Sequence, residues 1–374
     1  MKIGIDISLL GGEITGIGVY IKDMIHYFAE YDALNEYVLY SNVDITDFSV
    51  LPLNCILRVK KIRPHLLWQI IALPGMLKKD KIDVFWEPNH RLPIMIDSVR
   101  YVVTVHDLAA YLYPKYVPFK TYILDKLFLK NTLSHANKVI AISEYTKESI
   151  VQYLGVSERN IEVIYNGDTK FDMAMNFDDI KWRDIKEKYS IKRFLLYVGN
   201  IHPRKNVSVI LDAYEKACEA DKDFYQLVIV GNYLSQVREM KTKILNSKFK
   251  NKIIVTGYIP DDILYYLYKK SEALVFPSRY EGFGFPVLEA MSLGTLVITS
   301  KVTSLPEVAG DAAIYLNDID SSDELKQIFL NLKDMSVEVK SSLVMRGYEQ
   351  VKKFSRKICA KETLKLFHDL SHNK

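Results

Sequence analysis

Short apolar runs recur along the first half of the chain, and longer amphipathic stretches separate most of them. An apolar run bounded by turn residues is typical of a strand buried on both faces, and the stretches between are typical of covering helices. The predicted strands are Lys2–Ile7, Tyr37–Tyr40, Ile56–Val59, Val84–Trp86, Arg100–Thr104, Lys138–Ala141 and Ile161–Ile164. This alternation predicts an α/β domain with a largely parallel sheet and helices on both faces.

The same alternation restarts in the second half, after the polar stretch Asp168–Arg193. That stretch has little apolar periodicity, which predicts an interdomain connection. Helices are predicted between the later strands, for example at Val207–Ala220 and Tyr233–Ser247. The strands themselves are predicted at Phe194–Val198, Gln226–Val230, Ile253–Thr256, Ala273–Phe276, Leu296–Thr299 and Ala313–Tyr315.

A chain of 374 residues exceeds the size of a typical single core, so two domains are expected. We place them at residues 1–170 and 180–354. The tail Ser322–Asn373 has a helical pattern throughout, and its last helix, residues 355–374, is predicted to pack back on the first domain.

Composition narrows the classes of function. The net charge of +4 is small for this length, which argues against a nucleic-acid partner. Cys55, Cys218 and Cys359 lie far apart and form no CxxC or Cys/His cluster, so neither a disulfide framework nor a zinc site is expected. The start of the chain lacks the apolar core of a signal peptide, and no apolar run is long enough to span a membrane. A cytoplasmic location is therefore expected.

The stretch Phe276–Gly310 carries the densest candidate chemistry. It predicts a strand end, a glycine turn (Gly282–Pro286) and a helix that stops near Gly294. A glycine loop that leads into a helix leaves backbone N–H groups available to an anion. Glu281 and Glu289 flank this loop, and a carboxylate beside a phosphate is tolerated when it faces hydroxyl groups. Phosphate on the amides and hydroxyls on the carboxylates together indicate a sugar nucleotide.

A basic pair follows another predicted strand. Arg204 and Lys205 come directly after the strand Phe194–Val198, in the segment NIHPRKN. A planar guanidinium beside a compact ammonium suits a diphosphate, although an isolated pair of this kind is more often a solvated turn. The position at a strand end, facing the Glu281 loop in a doubly wound fold, favours the diphosphate interpretation.

Three loops of the first half remain open between two interpretations. His106 and Asp107 lie at the end of a predicted strand, where they can bind substrate hydroxyls or carry a proton. Alternatively, His106 is a histidine whose hydrogen bonds are satisfied within the fold and which has no role in the reaction. Ser143 and Glu144 follow another predicted strand, Lys138–Ala141, in the same way. They equally suit the cap and the first turn of a helix. The glycine loop around Gly16 and Gly18 suits a ligand or a plain connection, and it is not GxGxxG, which disfavours a nicotinamide dehydrogenase.

Taken together, these segments resemble the GT-B glycosyltransferases of family four, the retaining group 1 enzymes. The matching segments span almost the whole chain: GGEITGIGVY, TVHDLAAYLYP, AISEYTKESI, VGNIHPRKN, TGYIPDDIL and SRYEGFGFPVLEAMSLG. The seven-residue gap between Glu281 and Glu289 is a hallmark of that family. The resemblance implies two Rossmann-like doubly wound domains that face each other across a cleft, with the acceptor in the first and the donor in the second.

The sequences of these segments are most similar to those of the mannosyltransferases of O-antigen and capsule assembly that use GDP-mannose. The resemblance implies a catalytic role for Glu281, His106, Lys205 and Arg204, and it leaves Asp107, Ser143 and Glu144 as candidates on the acceptor side. The donor-binding residues that it implies are Arg204, Lys205, Glu281, Glu289, Gly16, Gly18, Gly199, Gly231, Tyr258, Ile259, Phe283, Gly284, Phe285, Pro286, Val287 and Leu288.

No metal and no cofactor are expected. The pairs Asp178-Asp179 and Asp261-Asp262 suit a connector and a helix start rather than a metal-binding cluster, so Arg204 and Lys205 are expected to do the work of a metal ion. The family resemblance favours a same-face, ion-pair-like substitution at the sugar, although a double displacement through Glu281 stays open.

The acceptor is expected to be a glycan or a lipid-linked glycan. Pro64–Lys79 and Tyr113–Lys130 combine apolar or aromatic residues with lysines, which suits the anionic inner face of a membrane or ordinary core helices. Two other hypotheses remain open: a soluble transferase or synthase of the same fold that uses a UDP- or ADP-sugar and a small-molecule acceptor, and a non-catalytic sugar-nucleotide-binding subunit.

Overall fold

The computed structural model describes residues 1–12, 16–45, 54–90, 92, 94–167, 171, 177–233 and 238–372. The chain divides into two compact units. The first consists of Met1–Gly167 together with Phe354–Lys374, and the second consists of Asp168–Lys353.

The described part of the first unit contains a seven-stranded parallel sheet with the order β3-β2-β1-β4-β5-β6-β7. Its strands are β1 Lys2–Asp6, β2 Glu36–Ser41, β3 Cys55–Val59, β4 Val84–Glu87, β5 Arg100–Val105, β6 Lys138–Ala141 and β7 Ile161–Val163. Each predicted strand of the first half is confirmed. The inner strands β1, β4 and β5 are almost wholly buried, which requires the apolar runs that the sequence displays, whereas β3 at the edge is partly exposed.

The second unit contains, within the described residues, a six-stranded parallel sheet with the order β10-β9-β8-β11-β12-β13. Its strands are β8 Phe194–Val198, β9 Gln226–Val230, β10 Ile253–Gly257, β11 Ala273–Phe276, β12 Val297–Ser300 and β13 Ala313–Leu316. In both sheets the order reverses beside the first strand of the unit, which is the arrangement of a doubly wound Rossmann-like domain. The reversal leaves a crevice at the carboxyl ends of β1 and β4 in one unit and of β8 and β11 in the other.

Helices connect the strands of both sheets. The α-helices are α1 Gly16–Tyr31, α2 His65–Leu67, α3 Leu73–Asp80, α4 Ala109–Leu112, α5 Phe119–His135, α6 Glu144–Leu154, α7 Asp179–Lys188, α8 Val207–Ala220, α9 Arg238–Asn246, α10 Asp261–Lys270, α11 Phe285–Ser292, α12 Leu305–Ala309, α13 Ser322–Asp334, α14 Val337–Val351 and α15 Arg356–His372. A π-helical turn, Trp68–Ala72, joins α2 to α3. Short 3-10 helices lie at Ser8–Leu10, Pro114–Tyr116, Glu158–Asn160, Pro203–Lys205 and Lys250–Lys252.

The polar stretch Asp168–Arg193 is more than a connection, because it contains α7. The side chain of Asp178 caps this helix by accepting hydrogen bonds from the amides of Ile180 and Lys181. Among the residues of α7, Ile185 is buried. The helix therefore lacks the stripe of apolar residues from which the other helices could be predicted. The pair Asp178-Asp179 therefore marks a helix start.

One further prediction on helices needs correction, and another lies partly outside the described residues. The helical tail is interrupted near Ser336, whose hydroxyl caps α14 at the amide of Val339. The helix predicted at Tyr233–Ser247 is present as α9, and residues 234–237 of that prediction lie outside the described residues.

The last helix, α15, completes the core of the first unit. Phe367 is fully buried, with its ring centroid 5.8 Å from that of Phe28 on α1 and 6.2 Å from that of Trp86 on β4. At the start of the helix, the Arg356 guanidinium pairs with the Asp23 carboxylate of α1. The end of the chain therefore supplies part of the core that the first residues begin.

Replacing Phe367 with Ala tests this contribution. Removing a buried phenylalanine costs about 3–5 kcal/mol, so we expect a clearly lower melting temperature for the first unit in F367A. Thermal unfolding followed by calorimetry measures the change. The exposed neighbour on the same helix provides the control, since K365A should shift stability by less than ~0.5 kcal/mol. Equal melting of F367A and K365A would contradict the packing described.

Candidate functional site

The loop between β11 and α11 is held in a conformation that favours glycine. Gly284 has φ +120°, and a Cβ placed on it would lie 2.9 Å from Cδ2 of Leu305. Ser304 donates its hydroxyl to the carbonyls of Glu281, at 3.0 Å, and Phe283, at 2.7 Å. Pro286 lies in the first turn of α11, where its missing N–H costs no helical hydrogen bond. The loop thus leads into a helix N-terminus at the carboxyl end of β11.

Arg204 and Lys205 reach the same loop from the carboxyl end of β8. Lys205 Nζ donates to Oε1 of Glu281 at 2.5 Å, and Arg204 Nη1 lies 3.7 Å from Oε2 of the same carboxylate. Arg204 also donates to the carbonyl of Tyr280 at 2.7 Å. The three side chains are each at most one-fifth exposed. Two cations against one carboxylate leave an excess positive charge in a partly dehydrated site, which suits an anionic ligand.

The backbone that carries these cations is fixed by residues that the sequence analysis did not single out. Asn206 adopts a left-handed conformation, with φ +58°, and its side chain donates to the carbonyl of Ile319 at 2.7 Å. The Arg279 amide donates to the carbonyl of Arg204 at 2.9 Å, while its guanidinium donates to Oδ1 of Asn206 at 2.9 Å. These bonds tie the loop after β8 to the loop after β11.

Glu289 lies within α11 and is held from α10. The hydroxyl of Tyr268 donates to Oε2 of Glu289 at 2.7 Å, and both residues are buried. Burial, followed by the adjacent Glu289 carboxylate, raises the pKa of Tyr268 well above its usual value. The phenol therefore stays protonated and acts as a fixed donor that orients one carboxylate oxygen. The sequence gives little sign of this role, because Tyr268 sits among other apolar residues of an amphipathic helix.

The remaining donor-side residues divide into accessible groups and core groups. Gly199 and Gly231 have φ near +140°, and a Cβ on Gly231 would lie 2.1 Å from the carbonyl oxygen of Gly199. Tyr258 is 78% exposed, whereas Ile259 is buried. Val287 and Leu288 are also fully buried, and their amides donate to the carbonyl of Gly284. Ile259, Val287 and Leu288 thus direct their side chains into the core, and the amides of Val287 and Leu288 are engaged within the first turn of α11.

In the first unit, His106 follows β5 and lies against Tyr20. Its Nε2 is 2.9 Å from the carbonyl oxygen of Pro88, which fixes Nε2 as the protonated nitrogen and leaves Nδ1 as an acceptor. Burial lowers the pKa of His106 to about 4; His90 also lowers it, while Asp107 and the bond to Pro88 oppose the shift. The imidazole is therefore neutral at pH 7.

The neighbouring polar residues of the first unit bond to backbone amides near helix starts, and Ser143 is a helix cap. Asp107 accepts a hydrogen bond from the Ala109 amide at 2.8 Å, at the start of α4. Ser143 is fully buried and accepts from the Thr146 amide at 3.1 Å, and Glu144 opens α6 behind it. For Ser143 and Glu144 this is the capping role that the sequence left open. Gly16 opens α1, Gly18 is buried in its first turn, and residues 13–15 of the same glycine loop lie outside the described residues.

The described residues contain neither a metal-binding cluster nor a membrane-spanning helix. No group of three or more His, Cys, Asp or Glu side chains in the described residues is arranged to hold a metal ion. Within the same part of the chain, every helix is too short or too polar to cross a bilayer.

Comparisons with known proteins place the chain in a family. The profile described as "Glycosyl transferases group 1" matches residues 178–349, and that described as "Glycosyltransferase Family 4" matches residues 14–169. O-antigen chain mannosyltransferase B of Escherichia coli is 30% identical over 304 residues, which are 78% of this chain and 75% of the relative. The chain belongs to the group 1 glycosyltransferases. O-antigen chain mannosyltransferase RfbU of Salmonella typhimurium is similar to this glycosyltransferase at 28% identity over 264 residues, 70% of this chain and 69% of the relative.

Solved structures agree on the fold. WaaG, a glycosyltransferase involved in lipopolysaccharide biosynthesis, matches with a TM-score of 0.75 at 14% identity, over 98% of this chain and 99% of that one. Anabaena HepE in complex with UDP matches with a TM-score of 0.75 at 16% identity, over the same shares. At these identities the likeness concerns the fold alone, and it confirms the GT-B class with its two Rossmann-like domains.

The lowered pKa of His106 predicts how the folding stability of this glycosyltransferase depends on pH. The unfolded chain binds a proton at this histidine below its ordinary pKa of 6.5, whereas the folded chain does so only near pH 4. Folding stability that depends on His106 should therefore be complete above pH 6.5 and decline as the pH falls toward 4.

An NMR titration of the imidazole should give a midpoint near 4, and the unfolding free energy of H106N should fall less steeply than that of the wild type over this interval. Above pH 7 the two stability curves should run parallel, which serves as the internal control. A midpoint near 6.5 would contradict the environment described.

Proposed function

We propose that this glycosyltransferase transfers a mannosyl residue from GDP-mannose to a hydroxyl of a glycan or lipid-linked glycan during assembly of a surface polysaccharide. The observation that carries the proposal is the convergence of Lys205, Arg204 and Glu281 at the N-terminus of α11. Mannose as the transferred sugar rests on the names of the relatives, which are O-antigen mannosyltransferases. The GDP base rests on the resemblance of the motifs.

The two cations of the site, Lys205 and Arg204, are placed to stabilise a nucleoside diphosphate as it leaves the sugar. When the bond between the sugar's anomeric carbon and the phosphate oxygen breaks, negative charge develops on the diphosphate, and fixed donors aimed at it lower the barrier. Lys205 and Arg204 supply that positive charge from a shielded position, which is our reason for proposing a metal-independent reaction. Donor binding would shift Lys205 from Glu281 toward the phosphate and leave the Glu281 carboxylate for hydroxyls of the transferred sugar.

The configuration at the anomeric carbon is proposed to be retained. In the same-face scheme, the acceptor oxygen bonds to the anomeric carbon as the phosphate leaves, and the departing phosphate oxygen takes the proton of the acceptor hydroxyl. No protein base is then required. Glu289, held by Tyr268, is proposed to accept from the ribose hydroxyls. His106, neutral at pH 7, is proposed to bind a sugar hydroxyl rather than to deliver a proton.

The first unit also offers a surface for a membrane. Leu67 of α2 and Ile71 of the π-helical turn that follows it are exposed. Phe119 and Leu127 are exposed on α5, which also carries Lys120, Lys126 and Lys130. Apolar side chains interleaved with lysines suit an anionic bilayer surface. We propose that the enzyme works in the cytoplasm at the inner face of the membrane, where a lipid-linked acceptor would be presented.

Substitution at the cation cluster tests the catalytic assignment. K205A and E281A should each lower turnover by about 10²–10³-fold, because each removes a charged group from the reacting centre. Transfer from GDP-mannose measures the effect, and melting temperatures show whether the fold survives. K216A is the matched control. Lys216 lies toward the end of α8 and forms an ion pair with Asp323 of α13, so its loss should leave turnover unchanged. Near wild-type turnover in K205A or E281A, with unchanged melting, would remove the assignment.

The donor base is tested by a thermal-shift panel of GDP, UDP, ADP and their sugar conjugates. GDP and GDP-mannose should raise the melting temperature, since a ligand that binds only the folded state stabilises it. The shift should persist in EDTA, because Lys205 and Arg204 rather than a metal hold the diphosphate, and it should be reduced in K205A. Selectivity for UDP or ADP would redirect the donor assignment, and a flat response to every nucleotide would overturn it.

A further inference from the structure

Tyr20 on α1 packs directly against the imidazole of His106. The two ring centroids lie 5.1 Å apart with an interplanar angle of 84°, which is an edge-to-face contact. Tyr20 is 1% exposed, whereas His106 is only partly buried. One side of the imidazole therefore rests on the protein while another can meet a ligand. Edge-to-face pairs hold two rings in a defined mutual orientation, so α1 helps to set the plane of the imidazole.

Tyr20 is itself held by the sheet. Its ring centroid lies 5.7 Å from that of Trp86 on β4, at an interplanar angle of 75°. Trp86 is fully buried, and its Nε1 donates to the hydroxyl of Thr104 on β5 at 2.9 Å. Because the indole is tied to the neighbouring strand, Tyr20 packs on a surface that does not shift. Trp86, Tyr20 and His106 thus form a row of rings that runs from the sheet to the loop after β5.

A second contact fixes the rotation of the imidazole within its plane. The carbonyl oxygen of Pro88, in the turn after β4, lies 2.9 Å from Nε2 of His106. A carbonyl oxygen only accepts, so Nε2 carries the proton and Nδ1 keeps its lone pair. Glu87 steadies this turn by accepting from the Asn89 amide at 3.1 Å. With Tyr20 setting the plane and Pro88 setting the rotation, the direction of the Nδ1 lone pair is defined.

The packing also limits the water around His106. Burial is the main reason why the pKa of His106 is lowered to about 4. Of the titratable groups that act on the imidazole, His90 lowers this pKa further, whereas Asp107 raises it, as does the bond to Pro88. Since the Tyr20 ring covers one side of the imidazole, it supplies part of this burial.

The hydroxyl of Tyr20 has a different set of neighbours. Cys359 and Arg356 on α15 and Thr104 on β5 act on it electrostatically. The contact with His106, by comparison, is made from ring to ring. An effect of Tyr20 on the imidazole is therefore carried by the ring, and a substitution that removes only the hydroxyl should preserve it.

We propose that Tyr20 is a positioning residue for His106 in the transfer reaction. Its ring holds the imidazole so that Nδ1 accepts a hydrogen bond from a hydroxyl of the bound sugar, and it keeps water from one side of the imidazole. The hydroxyl of Tyr20 is dispensable for this role. This inference rests on the proposed function and goes beyond it, because it assigns a role to a residue of α1 and names the accepting atom of His106.

Two substitutions in the full chain separate the ring from the hydroxyl. Y20F keeps the ring, so an NMR titration of His106 should still give a midpoint near 4. Y20L removes the ring and admits water that solvates the imidazolium, so the midpoint should move toward 6.5. F28L is the matched control, because Phe28 on the same helix is equally buried and packs on Trp86. An unchanged midpoint in Y20L, or an equal shift in F28L, would overturn the proposal.

Turnover reports on the same contact. Y20L should lower kcat for transfer from GDP-mannose by ~10–100-fold, since a misplaced group loses its effect in the transition state. Its remaining turnover should decline as the pH falls below 6.5, where the wild type stays level, because a protonated imidazole has no acceptor nitrogen. Y20F should rescue both properties. F28L should melt at a lower temperature than the wild type but keep its kcat, and equal kcat values in Y20L and F28L would contradict the role of Tyr20.

Should Y20L fail to fold, the NMR spectrum of the wild type decides. Fixed rings give nuclear Overhauser contacts between Tyr20 and His106 and a single tautomer with the proton on Nε2. The absence of either signal would overturn the proposal. A wild type that shows both signals but transfers nothing from GDP-mannose would contradict the proposed function, while the spectrum would still support the position of the imidazole.

Discussion

The reversal of strand order beside the first strand of each sheet is the constraint that places the polar chemistry of this chain. In a parallel sheet the strands themselves are apolar and the loops at their carboxyl ends are the free positions, and only at the reversal do neighbouring loops diverge and leave room. The second unit fills that position with Arg204, Lys205 and the Glu281 loop. The first unit fills its equivalent with Asp6 and Glu87.

Within the second unit, the Glu281 carboxylate keeps two cations in place without a ligand. Buried like charges repel, so Arg204 and Lys205 would be costly as neighbours if no anion lay between them. Glu281 compensates this charge, and Ser304 and Arg279 fix the loops that bring the three together. The arrangement is therefore preorganised, and an incoming diphosphate would exchange partners with a carboxylate rather than build a site from mobile side chains.

Much of the fold could be predicted from the sequence, because the central strands, such as β1, β4, β8 and β11, are buried on both faces and show as apolar runs. The helix α7 could not, since it buries little beyond Ile185 and so carries no stripe. At the site, Arg204, Lys205 and Glu281 could be found because each follows a strand within a distinctive segment. Tyr268 could not, because an isolated tyrosine in a helix has no sequence pattern that separates it from an ordinary residue. Ser143 remained ambiguous, since a capping residue and a ligand contact need the same side chain.

The position of α15 in the first unit has a consequence for the order of events during synthesis. The ribosome makes the whole of the second unit before it makes the helix that carries Phe367. The second unit can therefore close its core while translation continues, whereas the first, although begun earlier, must wait with Phe28 and Trp86 incompletely covered. The first unit is thus synthesised first but completes its core last. Until α15 has been made, this unit would need protection from aggregation.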